Sequence, residues 1–249
     1  MYGFESRVRY SEADQKGKMT INSILEYFQD VGSFQADDLG VGKDFILAKE
    51  IAWVVISWQV TVERYPLYSQ KITVHTWPHA FRSFYGDRSF MITDENGQRM
   101  AYATSIWAQI DLKTGKPKRI LPEFQTAYRM EEPVMAEGES RKIIIPKELV
   151  QQEAFAVQKY QLDMNQHMNN GQYIRVAQEF LPEGFRIDNI RVEYKQSAVY
   201  GDSIYPAVAT YSEEITEGNE AGKKSRTVLV VLGDQEGKPY SVIEFKEQP

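Results

Sequence analysis

Residues 21–38 read INSILEYFQDVGSFQADD, and the fold class turns on this stretch. Ile21, Ile24, Leu25, Phe28, Val31 and Phe34 recur at intervals of three and four, the repeat of one helix face, with Gly40 and Gly42 placed to end the run. The spacing predicts a buried helix from about 21 to 38. The period then changes: 51–62, 71–77, 84–93 and 99–112 are rich in Val, Ile, Trp and Tyr and read as strands. Asn96-Gly97 between two of them is a hairpin turn. From 121 to 150 no period survives, because Pro122, Pro133, Gly138 and Pro146 interrupt it, as in a connector.

Beyond the connector the same order returns. Tyr173, Ile174, Ala177 and Phe180 predict a second helix closed by Pro182 and Gly184, and strand-like runs follow at 187–196, 203–211, 225–233 and 239–246. Trp58–Ile72 lies without a gap on Ile190–Ile204, pairing Val60 with Val192 and Tyr68 with Tyr200. The turn Asp94-Glu95-Asn96-Gly97 has its counterpart in Asp234-Gln235-Glu236-Gly237. The expected organisation is therefore a first copy over 1–125, a linker over 126–150 and a second copy over 151–249.

A helix that is apolar over more than a narrow stripe, followed by antiparallel strands, fits a sheet wrapped round its own helix. The expected class is α+β, a tandem hotdog: two antiparallel sheets, each wrapped round a long helix, as an intrachain pseudo-dimer. A lone unit of this kind has an open sheet edge and an exposed face, which a fused second copy covers, and any edge left over leaves room for a homodimer.

At about 150 residues per domain, 249 residues suffice for one large domain or two small ones. With 29 basic against 35 acidic residues the net charge is −6, which excludes a general basic field for nucleic acid or an anionic membrane. Cysteine is absent, which removes disulfides, thiolate metal sites and a cysteine nucleophile. The longest apolar run is Ile51–Ile56, and Met1–Arg9 lacks the apolar core of a signal peptide, so a cytoplasmic protein is expected.

No cofactor or metal is expected either. Gly222-Lys223-Lys224-Ser225 departs from a phosphate loop in spacing and in Lys224. His75 and His79 have the spacing of a helical zinc pair, but Pro78 and the strand pattern forbid the helix. There is no G-x-S-x-G elbow.

The remaining candidate is Asp163-Met164-Asn165-Gln166-His167-Met168-Asn169-Asn170, just ahead of the second helix. In an extended stretch residues two apart project to one side, so Asp163, Asn165 and His167 are expected to converge while Met164, Gln166 and Met168 turn away. The competing reading is capping by Asn169 or Asn170 and loop stabilisation by Asp163, which leaves Asn165 and His167 unexplained.

This block, with Tyr173-Ile174, resembles the signature of the plant and bacterial acyl-acyl carrier protein (acyl-ACP) thioesterases. Trp53-Val54-Val55 leading to Val62-Glu63-Arg64-Tyr65-Pro66 and then Thr76-Trp77 is similar to the family's first-half strands, and the likeness spans roughly residues 2–246. The resemblance implies hydrolysis of fatty acyl-ACP to free fatty acid and holo-ACP in fatty acid biosynthesis, with the acyl carrier protein as partner. It carries Asp163, Asn165 and His167 over as the catalytic residues. The first-half counterpart, Asp14-Gln15-Lys16-Gly17-Lys18, keeps the acid but has Lys18 for His167, so one site per chain is expected. Plant members carry an acid followed by Cys where this chain has Ser197 and Ala198, which rules out a papain-like mechanism.

The expected scheme has His167, or Asp163 assisted by it, activating water, with Asn165 orienting it and amides of the second helix stabilising the oxyanion. Covalent attack by Asp163 competes with it. Ile24, Phe28, Trp53, Val55 and Trp58 mark the family's usual place for the far end of the acyl chain, although each also serves as core. Lys113, Lys116, Lys118 and Arg119 form the densest basic run and a candidate carrier contact. The rival readings are an acyl-CoA thioesterase, a non-catalytic acyl-binding hotdog protein and a hydratase or dehydratase.

Overall fold

The computed structural model describes residues 1–135, 140–214 and 224–247. The chain forms two compact units, Met1–Gly138 and Glu139–Pro249. The first contains β1 (Tyr2–Arg7), α1 (Ile21–Asp38), α2 (Lys43–Ala48), β2 (Ile51–Val62), β3 (Lys71–Arg82), β4 (Tyr85–Asp94), β5 (Arg99–Asp111) and α3 (Pro122–Ala127). Its antiparallel sheet runs β1-β3-β4-β5-β2.

Helix α1 starts at Thr20, whose hydroxyl accepts the Ser23 amide, and it puts Ile24, Phe28 and Val31 wholly out of water. Phe28 packs on Phe90 at 5.3 Å and on Trp58 at 6.3 Å, and Trp58 meets Phe90 at 4.9 Å, so the helix is anchored to β4 and β2 by three rings. Phe34, expected on the buried face, is 46% exposed and lies edge-on to Phe4 of the edge strand β1, where the sheet ends. Sequence pattern misses β1 because its alternation is carried by Glu5 and Arg7 on an edge, where charges deter further pairing. His75 and His79 lie on β3, bonded to the Thr93 and Ser89 hydroxyls at 3.2 and 2.9 Å.

The second unit contains β6 (Val150–Gln151), β7 (Phe155–Ala156), α4 (Asn170–Gln178), β8 (Asn189–Tyr194), β9 (Ser203–Glu214), β10 (Lys224–Gly233) and β11 (Pro239–Glu247). Its sheet runs β8-β11-β10-β9-β6, with β7 also on β9. Here the helix has nine residues against eighteen in α1. It stops because the chain tightens into turns at Phe180 and Leu181 before Pro182, which cannot continue a helix. The long helix expected in both copies is thus present in the first only.

The repeat extends to individual hydrogen bonds. In the β4–β5 turn the Asp94 amide donates to the Gln98 carbonyl and Asp94 Oδ1 accepts the Gln98 amide; in the β10–β11 turn Asp234 and Lys238 make the same two bonds. Arg64 reaches Asp94 at 2.7 Å as Gln196 reaches Asp234 at 3.4 Å. The stretch read as a linker takes its order from the units rather than from its own pattern. Glu132 accepts from the Trp77 indole, and Ile143 is buried with Leu229 and Val242. Gly138, Gly222 and Lys223 lie outside the described residues. No helix among the described residues is long and apolar enough to cross a membrane.

Truncating the ring that anchors α1 leaves a cavity against Trp58 and Phe90. Phe28→Ala is expected to lower stability by about 3–5 kcal/mol, read from the urea midpoint at unchanged m-value.

Candidate active site

The Asp-x-Asn-x-His block is not extended. A single 3₁₀ turn over Lys159–Gln161 feeds a tight reversal in which Leu162 pairs with Met168. The Asp163 amide donates to the His167 carbonyl at 2.8 Å, the Gln166 amide donates to the Asp163 carbonyl at 3.1 Å, and Gln166 takes a positive φ of 63°. Asp163 Oδ1 accepts the amides of Asn165 at 2.7 Å and His167 at 3.3 Å. The expected convergence by strand alternation therefore fails: the carboxylate curls the chain back on itself and faces the backbone inside the turn. The turn leaves Asn165 and His167 exposed and Asp163 half-buried.

Two further attachments fix the turn. Asn169 caps α4, its side-chain oxygen accepting the Gly171 amide at 2.8 Å, and its own amide donates to the Gln161 carbonyl. On the other side the Met168 amide donates to the Ala198 carbonyl at 2.8 Å, and His167 pairs with Val199. Ser197 is exposed and Ala198 is buried, so the two positions where plant members carry acid and Cys lie on the segment that flanks the turn.

Beneath these elements lie two tyrosines that sequence reasoning passed over, counting Tyr173 as helix core and Tyr194 as strand. The Tyr173 hydroxyl accepts the Ala198 amide at 2.8 Å, and the Tyr194 hydroxyl donates to the Asn170 carbonyl at 3.0 Å. Their rings meet edge to face at 6.0 Å. Burial pushes the Tyr173 phenol from 10.0 up to about 12, partly opposed by the Ala198 amide, and burial raises Tyr194 as well.

The first unit builds the same turn with different side chains. Asp14 Oδ1 accepts the amides of Lys16 and Lys18 at 2.8 and 2.9 Å, and the Asp14 amide donates to the Lys18 carbonyl at 2.7 Å. Gly17 supplies the positive φ. An aspartate in this motif is thus a turn-closing group wherever it occurs, and what distinguishes the second unit is Asn165 and His167.

The residues expected at the far end of an acyl chain are packed: Ile24, Phe28, Val55 and Trp58 are buried, and Trp53 stacks on Phe81 and meets Phe124 edge to face. In the basic run, Lys113 pairs with Glu50 and Lys118 with Asp111, so two of its four charges are compensated.

Residues 1–128 match the acyl-ACP thioesterase N-terminal domain and residues 145–238 the C-terminal domain. The chain belongs to the acyl-ACP thioesterase family. It is 25% identical over 222 residues to a palmitoyl-acyl carrier protein thioesterase, chloroplastic, of Gossypium hirsutum, covering 82% of this chain and 53% of that protein. The chain spans about half the length of the curated relatives it matches. Among solved structures, an acyl-ACP thioesterase from Bacteroides thetaiotaomicron superposes with a TM-score of 0.80 at 22% identity, covering 98% of this chain and 97% of that one. A 12:0-ACP thioesterase from Umbellularia californica does so with a TM-score of 0.83 at 19% identity, covering 100% and 94%. The fold of this acyl-ACP thioesterase family member is accordingly the tandem hotdog.

The raised phenol has a measurable consequence for this family member. A group whose pKa is higher folded than unfolded contributes stability that is complete below its unfolded value and lost as pH rises through the folded one. Unfolding titrations are therefore expected to show stability falling between pH 10 and about 12, and Tyr173→Phe is expected to flatten that part of the profile.

Proposed function

We propose that the protein hydrolyses the thioester of a fatty acyl chain carried on acyl carrier protein, releasing free acid and holo-ACP in fatty acid biosynthesis, at a single site formed by Asp163, Asn165 and His167. The observation that carries this reading is that both family domains match in one chain and that only its second unit places Asn165 and His167 on the shared turn.

In this scheme His167 takes a proton from water as the water oxygen attacks the thioester carbonyl. The tetrahedral intermediate collapses, the C–S bond breaks, and the imidazolium returns the proton to the phosphopantetheine sulfur. Asn165 orients the water, and amides in the first turn of α4, with the helix dipole, face the oxyanion. Asp163 holds the turn and adds a negative charge near the imidazolium. Its Oδ1 already accepts two amides, which spends lone-pair density a nucleophile would need and favours water attack over an Asp163 anhydride. General base action accounts for about 10²- to 10⁴-fold of the rate. A cytoplasmic setting and homodimerisation through a free sheet edge belong to the same proposal.

The test is thiol release from a panel of acyl-ACPs, with matched acyl-CoAs beside them. His167→Ala is expected to lose at least about a hundredfold in kcat/KM while remaining folded. Asp14→Ala, which breaks the twin turn that carries Lys18 in place of the histidine, should keep its rate. Full activity in His167→Ala defeats the assignment, acyl binding without turnover favours the non-catalytic reading, and higher kcat/KM on acyl-CoA moves the substrate class. Incorporation of ¹⁸O from labelled water into Asp163 under single turnover would restore the covalent route.

A further inference from the structure

The two units allow a comparison within one chain, because their hydrogen bonds can be matched one for one. The Arg9 amide donates to Glu12 as the Gln158 amide donates to Gln161. The Thr20 amide donates to the Glu12 carbonyl as the Asn169 amide donates to the Gln161 carbonyl, each at 2.8 Å. The Met19 amide donates to the Pro66 carbonyl as the Met168 amide donates to the Ala198 carbonyl, again each at 2.8 Å. Lys18 pairs with Leu67 as His167 pairs with Val199. The Glu63 amide donates to the Met100 carbonyl as the Lys195 amide donates to the Tyr240 carbonyl.

Counting from these matched bonds places Tyr173 opposite Ile24, Tyr194 opposite Val62 and Tyr240 opposite Met100. Three apolar core positions of the first unit are phenols in the unit that carries His167.

One of these phenols bonds directly to the segment that flanks the turn. The Tyr173 hydroxyl accepts the Ala198 amide. In the first unit the residue in that place is Pro66, which has no N–H, and Ile24 offers no acceptor. Burial, and after it the Asp202 carboxylate, raise the Tyr240 phenol above its ordinary value, and Asp202 Oδ2 accepts the Val199 amide at 2.9 Å. Gln70 accepts the Leu67 amide at 3.0 Å in the corresponding place, next to an apolar Met100. The same backbone frame thus carries a proline ring in one unit and a buried hydroxyl in the other. The frame alone does not demand a tyrosine, since Ile24 and Pro66 build it without one.

We propose that Tyr173 is a positioning residue of the thioesterase site: by holding the Ala198 peptide it fixes the Ala198–Val199 edge on which Met168 and His167 are paired, and so sets where the imidazole stands. This rests on the reading of His167 as the base. Tyr173 is 1% exposed and acts through Ala198 rather than on substrate.

The test uses the full chain with Tyr173→Phe, Ala198→Pro and the double variant, read by steady-state kinetics on an acyl-ACP and by NMR of the imidazole C–H signals. The chain has three histidines, and His75 and His79 in the first unit serve as internal references for His167. Tyr173→Phe leaves the Ala198 amide without its acceptor. It is expected to lower kcat about tenfold with KM within about twofold, and to shift the His167 signal alone. Adding Ala198→Pro removes the orphaned N–H and restores the arrangement of the first unit, so kcat should return to within about threefold of wild type and the His167 signal with it. A Tyr173→Phe protein that melts earlier but keeps kcat and the His167 signal has lost packing only, and the proposal is wrong. A folded double variant that stays slow, its His167 signal still displaced, overturns the route through Ala198. If even the wild type fails to turn over while the His167 signal moves and returns as described, the positioning role stands and the thioesterase reading falls.

Discussion

An antiparallel sheet with one apolar face must cover that face, and in each unit the helix that follows the turn packs on it. In the first unit the cover is α1, whose Phe28 is locked between Trp58 and Phe90. In the second it is the shorter α4, whose Tyr173, Ile174 and Ala177 are buried. Everything near the candidate site follows from how the chain enters that helix. The helix axis is set by the sheet, so the incoming strand must reverse within a few residues, and an aspartate that accepts two backbone amides, with a positive φ three residues on, makes the reversal.

The reversal is thus common to both halves, and among the side chains it leaves exposed near a helix N-terminus two positions differ in chemistry. In the first unit these are Lys16 and Lys18, and in the second Asn165 and His167. A fixed turn beside helix amides is a ready geometry for anchoring a base near a developing oxyanion, and neutral polar groups suit it where lysines do not. The two copies of the frame thus share their backbone and differ in the side chains they present.

The same division runs through the core. Ile24, Val62 and Met100 pack the first unit as hydrocarbons, whereas Tyr173, Tyr194 and Tyr240 occupy the matching places of the second, and the hydroxyls of Tyr173 and Tyr194 bond the backbone beside the turn. A buried phenol is stable only when its oxygen finds a partner, so each of these residues binds the packing of the core to the position of a specific backbone segment.

Much of this was legible in the sequence. Helical spacing located α1, β-rich runs located the strands, and the gapless match of Trp58–Ile72 on Ile190–Ile204 gave the duplication, because periodicity and turn chemistry are local properties of the chain. The motif at Asp163–Asn170 also stood out as polar residues without a packing role. The local pattern did not contain the conformation of that motif or the work of its members. A polar stretch has no periodicity to distinguish strand from turn, and only the amides of its own neighbours that Asp163 accepts, and the pairing with Ala198 and Val199 some thirty residues on, decide it. The same holds for Tyr173, which in sequence is one more apolar helix position. Its hydroxyl acquires meaning only when the sheet brings the Ala198 amide to 2.8 Å, a long-range pairing that no local signal encodes.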